Sequence, residues 1–223
     1  MSPTVLIPAY NEGPRIASVL RAAHRAVPGA SLLVVDGNSS DNTAQIAASE
    51  GAEVIGQPGR GYADALRAGY RHLHARGVER VVQLDADGQH PPEALPELLA
   101  ALAGADWVIG SRQGTTSPGS VVRRAGNAAL SLAVRAACGA RIADVTSGLW
   151  ALGPAALSLF AVRMPQDVAD ANVRVIAARA GLRIAEVPVQ MAPRIGGVSM
   201  HDGWDGVHNF QQSLRALWAE ARA

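Results

Sequence analysis

Short apolar runs alternate with amphipathic stretches along the first half of the chain, and this alternation limits the fold more than any other feature. Residues 3–7 and 31–35 are short, apolar and β-branched, and 53–55, 81–84 and 107–109 repeat the pattern. The run 31–35 is apolar almost throughout, as a strand covered on both faces requires. Between the first two runs, Ile16, Val19 and Leu20 recur at helical spacing, and the stretch stops at Val27-Pro28-Gly29. Asp41 is placed to N-cap a helix through Ser49, and further helices are expected over 62–74 and 92–102. Strands alternating with helices predict a parallel sheet joined by right-handed crossovers. The fold class is therefore α/β: a mainly parallel, Rossmann-like sheet flanked by helices in a single domain.

The second half is less regular. Helices are expected over 121–137 and 170–180, and strands over 147–152 and 183–189, where Pro188 suggests a sheet edge. Residues 193–202 read as a Gly-rich loop. A last helix over 204–221 puts Val207, Phe210, Leu214, Leu217 and Trp218 on one face. The expected organisation is a domain of residues 1–202 with an amphipathic helix, 203–223, packed on it.

Open α/β sheets bind ligands beyond the C-terminal ends of their strands, and this chain carries acids there. The first strand leads to Glu12, the second to Asp36, and the central one to Asp85 and Asp87. Side chains alternate along a strand, so Asp85 and Asp87 are expected to point the same way while Ala86 turns aside. With the Gln89 oxygen they make a hard, oxygen-rich site. It suits Mg²⁺ or Mn²⁺ once a ligand's phosphates complete the coordination. Asp36 can accept hydrogen bonds from a base or ribose. The plainer alternatives are two solvated aspartates at a strand end and, for Asp36, a turn-former bonding its own loop.

Composition removes other classes. Lys plus Arg number 20 against 19 acidic residues, a net charge of +1, so nothing pulls the chain globally toward nucleic acid or an anionic membrane. All of those basic residues are Arg, which excludes any mechanism that needs a lysine. The single cysteine, Cys138, allows no intrachain disulfide and reads as a small core residue rather than a nucleophile. No charged leader precedes the first strand, and no run reaches the ~18 apolar residues of a membrane span. The expected location is the cytoplasm.

Three motifs in order carry a resemblance to a known family. Ile7-Pro8-Ala9-Tyr10-Asn11-Glu12, Val35-Asp36-Gly37-x-Ser39-x-Asp41-x-Thr43 and Leu84-Asp85-Ala86-Asp87-Gly88-Gln89-His90 resemble the GT-A fold glycosyltransferases of family 2. Within them, the likeness is to the dolichyl- or polyprenyl-phosphate mannose synthase group. Gly110-Ser111-Arg112, Asp144-x-x-Ser147-Gly148, Glu186-Val187-Pro188-Val189 and Arg194-x-x-Gly197-x-Ser199 extend it over nearly the whole chain.

The resemblance implies that Pro8, Tyr10, Glu12 and Asp36 hold the nucleotide. It implies that Asp85 and Ala86 touch the donor and that Asp87 and Gln89 bind the metal beside the diphosphate. Arg194 and Ser199 would lie on a loop that closes over the donor. Arg112 and Asn127, with either Arg123 or Arg124, fall where the family takes its acceptor phosphate. Asp144 is expected near the site. Two departures stand out: Met200-His201 where the family has a Lys after the serine, and Asn172 where a Glu is common, with Asp170 two residues earlier.

The implied reaction is an inverting single displacement that moves a hexose from a nucleotide-diphosphate sugar to an acceptor, foremost a polyprenyl phosphate. A phosphate monoester is already largely anionic at neutral pH, so it needs arginines to position it and no general base. A soluble or saccharide hydroxyl would need a carboxylate base, for which Asp144, Asp167 and Asp170 are the candidates. A lipid acceptor implies peripheral contact with the inner face of the membrane, through residues 121–138 or the last helix, or a membrane partner protein. Rival classes are a sugar-phosphate nucleotidyltransferase, disfavoured by the absence of Lys, and a non-catalytic nucleotide-sugar binder.

Overall fold

The computed structural model describes residues 2–112, 121–165, 170–192 and 203–222, and not the side chains of 121–123 and 203–209. Seven strands form one sheet in the order β3-β2-β1-β4-β6-β5-β7. They are β1 Thr4–Ala9, β2 Ser31–Asp36, β3 Glu53–Gly56, β4 Val81–Gln83, β5 Trp107–Ser111, β6 Trp150–Leu152 and β7 Ile184–Pro188. Neighbours run parallel except at β6, which is antiparallel to both β4 and β5. Pro188 does end an edge strand, where its missing N–H costs no ladder bond.

The pleat divides the core in two. Val5, Ile7, Val34 and Val108 face one side, under helices α1 Gly13–Ala26, α2 Thr43–Ser49 and α4 Leu95–Ala101. Leu6, Leu33, Val35 and Ile109 face the other. That side is covered by α3 Tyr62–Ala75, α5 Val121–Cys138, α6 Pro154–Arg163, α7 Ala171–Arg179 and α8 Gly203–Arg222. Leu217 of α8 is fully buried, with Phe210 and Leu214 packed against the same cluster. Trp218 remains 41% exposed.

Three local expectations need correcting, and one helix was not expected. Strand β4 stops at Gln83, so Asp85 and Asp87 lie in the following turn and strand alternation does not orient them. The α2 cap position falls on Asn42. Asp41, one residue earlier, satisfies the Thr43 amide at 3.0 Å. The helix after Pro91 opens as a 3₁₀ turn, Pro92–Ala94, before α4. Helix α6, with Pro154 in its first turn, has only a weak 3.6-residue stripe to reveal it in the sequence.

On the α5–α8 side, Arg174 is fully buried. Its guanidinium lies 4.9 Å from the Trp150 ring centroid and 5.2 Å from that of Trp107. It donates to the Ser147 carbonyl at 2.7 Å and the Asp170 carbonyl at 3.3 Å. Burial lowers its pKa, against the pull of Asp170 and Asp144. We expect Arg174→Ala to destabilise the fold by about 3–5 kcal/mol, the range for removing one member of a buried charged network. Urea unfolding measures this, and a loss under about 1 kcal/mol would contradict it.

Candidate active site

Register places the acids. Ala9 pairs with Asp36 and Leu6 with Gln83, so the loops leaving β1, β2 and β4 open at one edge of the sheet. Side chains then stitch the first two loops together. The Asn11 amide donates to Ser39 Oγ at 2.9 Å, and Asn11 Oδ1 accepts from the Ser40 amide at 2.9 Å. The Glu12 amide donates to Thr43 Oγ1 at 2.9 Å, and the Gly13 amide to Asp41 Oδ2 at 3.0 Å. A Cβ on Gly13 would come within 2.5 Å of Asn42 Oδ1, so a larger residue here would push the Asn42 side chain aside. Asn11 takes φ +54°, a left-handed conformation that Asn tolerates better than most residues.

Within this frame Glu12 pairs with Arg15 at 2.7 Å. That hydrogen bond, then the charges of Glu12 and Asp87, raise the Arg15 pKa, so Arg15 feels the acids of two different loops. Asp36 divides its roles: Oδ2 accepts from the Ser39 amide at 3.1 Å, while Oδ1 is buried without a partner. The turn-former reading holds for one oxygen, and the other is an acceptor lacking a donor. Tyr10 is 63% exposed beside them, an aromatic face open to a ligand. Pro8 and Ala86 are buried.

Asp85 is held from behind. Tyr62 Oη donates to its Oδ1 at 2.9 Å, and Gln83 Nε2 donates to Tyr62 Oη at 3.0 Å and to the Gly148 carbonyl at 2.9 Å. The Asp85 amide donates to Nδ1 of buried His90 at 2.9 Å. Burial, then the Asp85 charge, push the Tyr62 phenol well above its usual pKa, so it remains a hydroxyl donor. Asp87 Oδ1 accepts from the Gln89 amide at 3.0 Å. Gln89 is bonded to Ala192 through its carbonyl at 2.9 Å and its side-chain amide at 3.5 Å. Among the described residues no three His, Cys, Asp or Glu side chains form a ready metal cage.

The proposed acceptor residues fall into two groups. Arg112 forms a two-pronged ion pair with Asp144, at 2.7 and 2.6 Å, and its amide adds a third bond at 3.0 Å. Asn127 donates to the Ala143 carbonyl at 2.7 Å and accepts from the Val145 amide at 3.1 Å, which ties α5 to the same loop. Glu186 accepts from the Ala143 and Asp144 amides at 2.8 and 2.9 Å. In this structure Arg112, Asn127 and Asp144 therefore brace one another. Arg124 is exposed on α5. The Arg123 side chain, Arg194, Ser199 and Asp167 lie outside the described residues.

Tyr62, His90 and Arg174 escaped the sequence reading, as did any role for Gln83. Only Gln83 left a signal: an amide inside an apolar central strand must find partners.

A family profile, glycosyl transferase family 2, matches residues 4–149. The chain belongs to glycosyl transferase family 2. It is similar to undecaprenyl-phosphate mannosyltransferase of Micrococcus luteus, at 34% identity over 98% of this chain and 96% of that one. It is similar to polyprenol monophosphomannose synthase of Mycolicibacterium smegmatis, at 33% identity over 89% of this chain and 80% of that one. Among solved structures, one of glucosyl-3-phosphoglycerate synthase from Mycobacterium tuberculosis matches with TM-score 0.74 at 24% identity, over 99% of this chain and 80% of that chain. That crystal holds Mn²⁺, uridine-diphosphate-glucose and phosphoglyceric acid. The likeness gives this family 2 chain the GT-A fold.

The Arg112–Asp144 pair has a pH signature. Burial pushes the Asp144 carboxyl up, but the hydrogen bonds and charge of Arg112 outweigh it and hold the pKa below the ordinary carboxylate value. A depressed folded value means the stabilisation is complete above the unfolded pKa of about 3.9 and is lost as pH falls through the folded one. In this family 2 enzyme, Asp144→Asn should therefore lower stability at neutral pH and flatten its decline below about pH 4. Urea midpoints across that range are the check, and an unchanged acid limb would refute the pairing.

Proposed function

We propose that the chain transfers a hexose, with inversion, from a nucleoside-diphosphate sugar to a polyprenyl-type phosphate. The donor side rests on the acids of three loops around one mouth and on the buried, unpartnered Oδ1 of Asp36, which suits a base or ribose donor. Asp85, Asp87 and Gln89 offer hard oxygens, and among the described residues no three His, Cys, Asp or Glu side chains are grouped to hold a metal by themselves. That donor set fits Mg²⁺ or Mn²⁺ held partly by substrate phosphates rather than by an all-protein cage. When bound, the ion would neutralise charge on the departing diphosphate.

The state of Asp144 carries the choice of acceptor. A hydroxyl nucleophile needs a carboxylate base, yet Asp144 is locked on Arg112 and held acidic. Asp170 has one oxygen accepting from Ser213 at 2.7 Å. A phosphate monoester, with a second pKa of about 6, arrives ionised and dispenses with the base. Its oxygen would attack the anomeric carbon as the bond to the nucleoside diphosphate breaks, and one displacement inverts that centre. Arginines at the start of α5 would orient it. Arg124 is exposed there, and Leu132, 66% exposed on the same helix, offers an apolar contact for a lipid tail or membrane surface. Among the described residues no helix is long and apolar enough to cross a membrane, so such contact would be peripheral, on the cytoplasmic side.

Two experiments test this reading. With Mn²⁺, a panel of nucleotide sugars and a short polyprenyl phosphate, Asp87→Ala should lower nucleoside-diphosphate release by roughly two orders of magnitude or more while the fold persists. Full turnover in the folded variant would remove the metal role. Replacing Arg123 and Arg124 together should raise the acceptor KM roughly 10-fold or more with little change for the donor. Equal effects on both substrates would count against a phosphate acceptor.

A further inference from the structure

A directional hydrogen-bond relay ends on Asp85, and each link is fixed by chemistry. The Gly148 carbonyl can only accept, so the Gln83 atom 2.9 Å away is its amide nitrogen. The same nitrogen faces Tyr62 Oη at 3.0 Å, which makes the phenol an acceptor toward Gln83. The one phenolic proton is then left for Asp85 Oδ1, 2.9 Å away. At the far end the Gln83 side-chain oxygen accepts from the hydroxyl of Tyr70, which is fully buried. The relay also has a steric wall. A Cβ on Gly148 would lie 2.8 Å from Tyr62 Oη and 3.2 Å from Asp85 Oδ2. The backbone before that glycine is pinned by Arg174, which donates to the Ser147 carbonyl.

The geometry points to Tyr62 as a positioning residue that, driven by Gln83 and given room by Gly148, fixes the Asp85 carboxylate for a divalent ion. This rests on the metal-dependent reading above. The hydroxyl occupies one carboxylate oxygen from the protein side and leaves the group oriented, as outer-shell partners of metal-ligating carboxylates do. A residue that merely filled space would not need the phenolic proton.

The test is Mn²⁺ binding to the full chain, followed by loss of the free-ion EPR signal with UDP or GDP present. Metal-free binding of the same nucleotides is measured beside it by calorimetry. Tyr62→Phe, which keeps the ring, should weaken Mn²⁺ binding by roughly 10- to 100-fold and leave metal-free nucleotide binding within about twofold, a difference of ~0.4 kcal/mol. Gly148→Ala keeps both polar groups but crowds their meeting point, and should weaken the metal in the same selective way. It carries the test if Tyr62→Phe fails to fold. Wild-type Mn²⁺ affinity in either folded variant overturns the inference, as does an equal loss of metal and nucleotide. If the wild-type chain shows no Mn²⁺ binding with either nucleotide, the metal-dependent reading itself falls and takes this inference with it.

Discussion

One antiparallel strand, set among parallel ones, decides how the site is built. A parallel strand sends its outgoing loop to the ligand-binding edge. Strand β6 runs the other way, with Trp150 opposite both Gln83 and Ile109, so its incoming loop arrives at that edge. That loop brings Gly148 up against the back of Asp85 and Asp144 to Arg112. Had β6 been parallel, the Gly148 carbonyl would lie at the opposite end of the sheet and the buried Gln83 amide nitrogen would keep only Tyr62 Oη as an acceptor. The same inversion brings Trp150 against Trp107, 5.1 Å apart edge to face, and makes the pair of rings on which Arg174 rests.

Charge at this edge is balanced locally rather than by overall composition. Four loops bring acids to this edge, and each of the four is met by a different device. Glu12 has the Arg15 guanidinium, Asp36 a backbone amide, Asp85 a phenol and Asp144 a two-pronged arginine. The exclusive use of Arg suits this, because a planar fork meets a carboxylate through two bonds where an ammonium meets it as a point. The most buried of these four acids, Asp144, is also the one whose loop is held by Asn127 and Glu186. A bridge so braced positions a loop, and it occupies both oxygens of Asp144.

The strands of the first half were legible because parallel strands covered on both faces must be apolar runs, and the five expected there are all present. The loop motifs were legible as a set for the same reason they fit together: Asn11, Ser39, Asp41 and Thr43 are the polar side chains through which the first two loops bind each other. The orientation of Asp85 was not legible. The strand ends one residue earlier than its apolar run suggests, and the carboxylate answers to Tyr62, more than twenty residues upstream and on another element. Arg174 was hidden for a related reason. Its neighbours Val173 and Val175 announce a buried helix, but only the tertiary meeting of Trp107 with Trp150 provides a place for a guanidinium.

The edge strand β7 and the residues just after it connect the Arg112 loop to the Asp87 turn through their backbone. Val189 donates to the Ser111 carbonyl at 2.7 Å, next to Arg112, and Ala192 donates to the Gln89 carbonyl at 2.9 Å, next to Asp87. Glu186, earlier on the same strand, holds the Asp144 amide. From Glu186 to Ala192, β7 and the segment leaving it therefore touch the loop of the Arg112–Asp144 bridge and the turn that bears Asp87. A displacement of either loop is transmitted to the other because buried main-chain bonds are costly to leave unmade. In the proposed single displacement the nucleophile and the leaving group would face the same carbon from opposite sides, and a shared backbone ruler is a direct way to fix their separation.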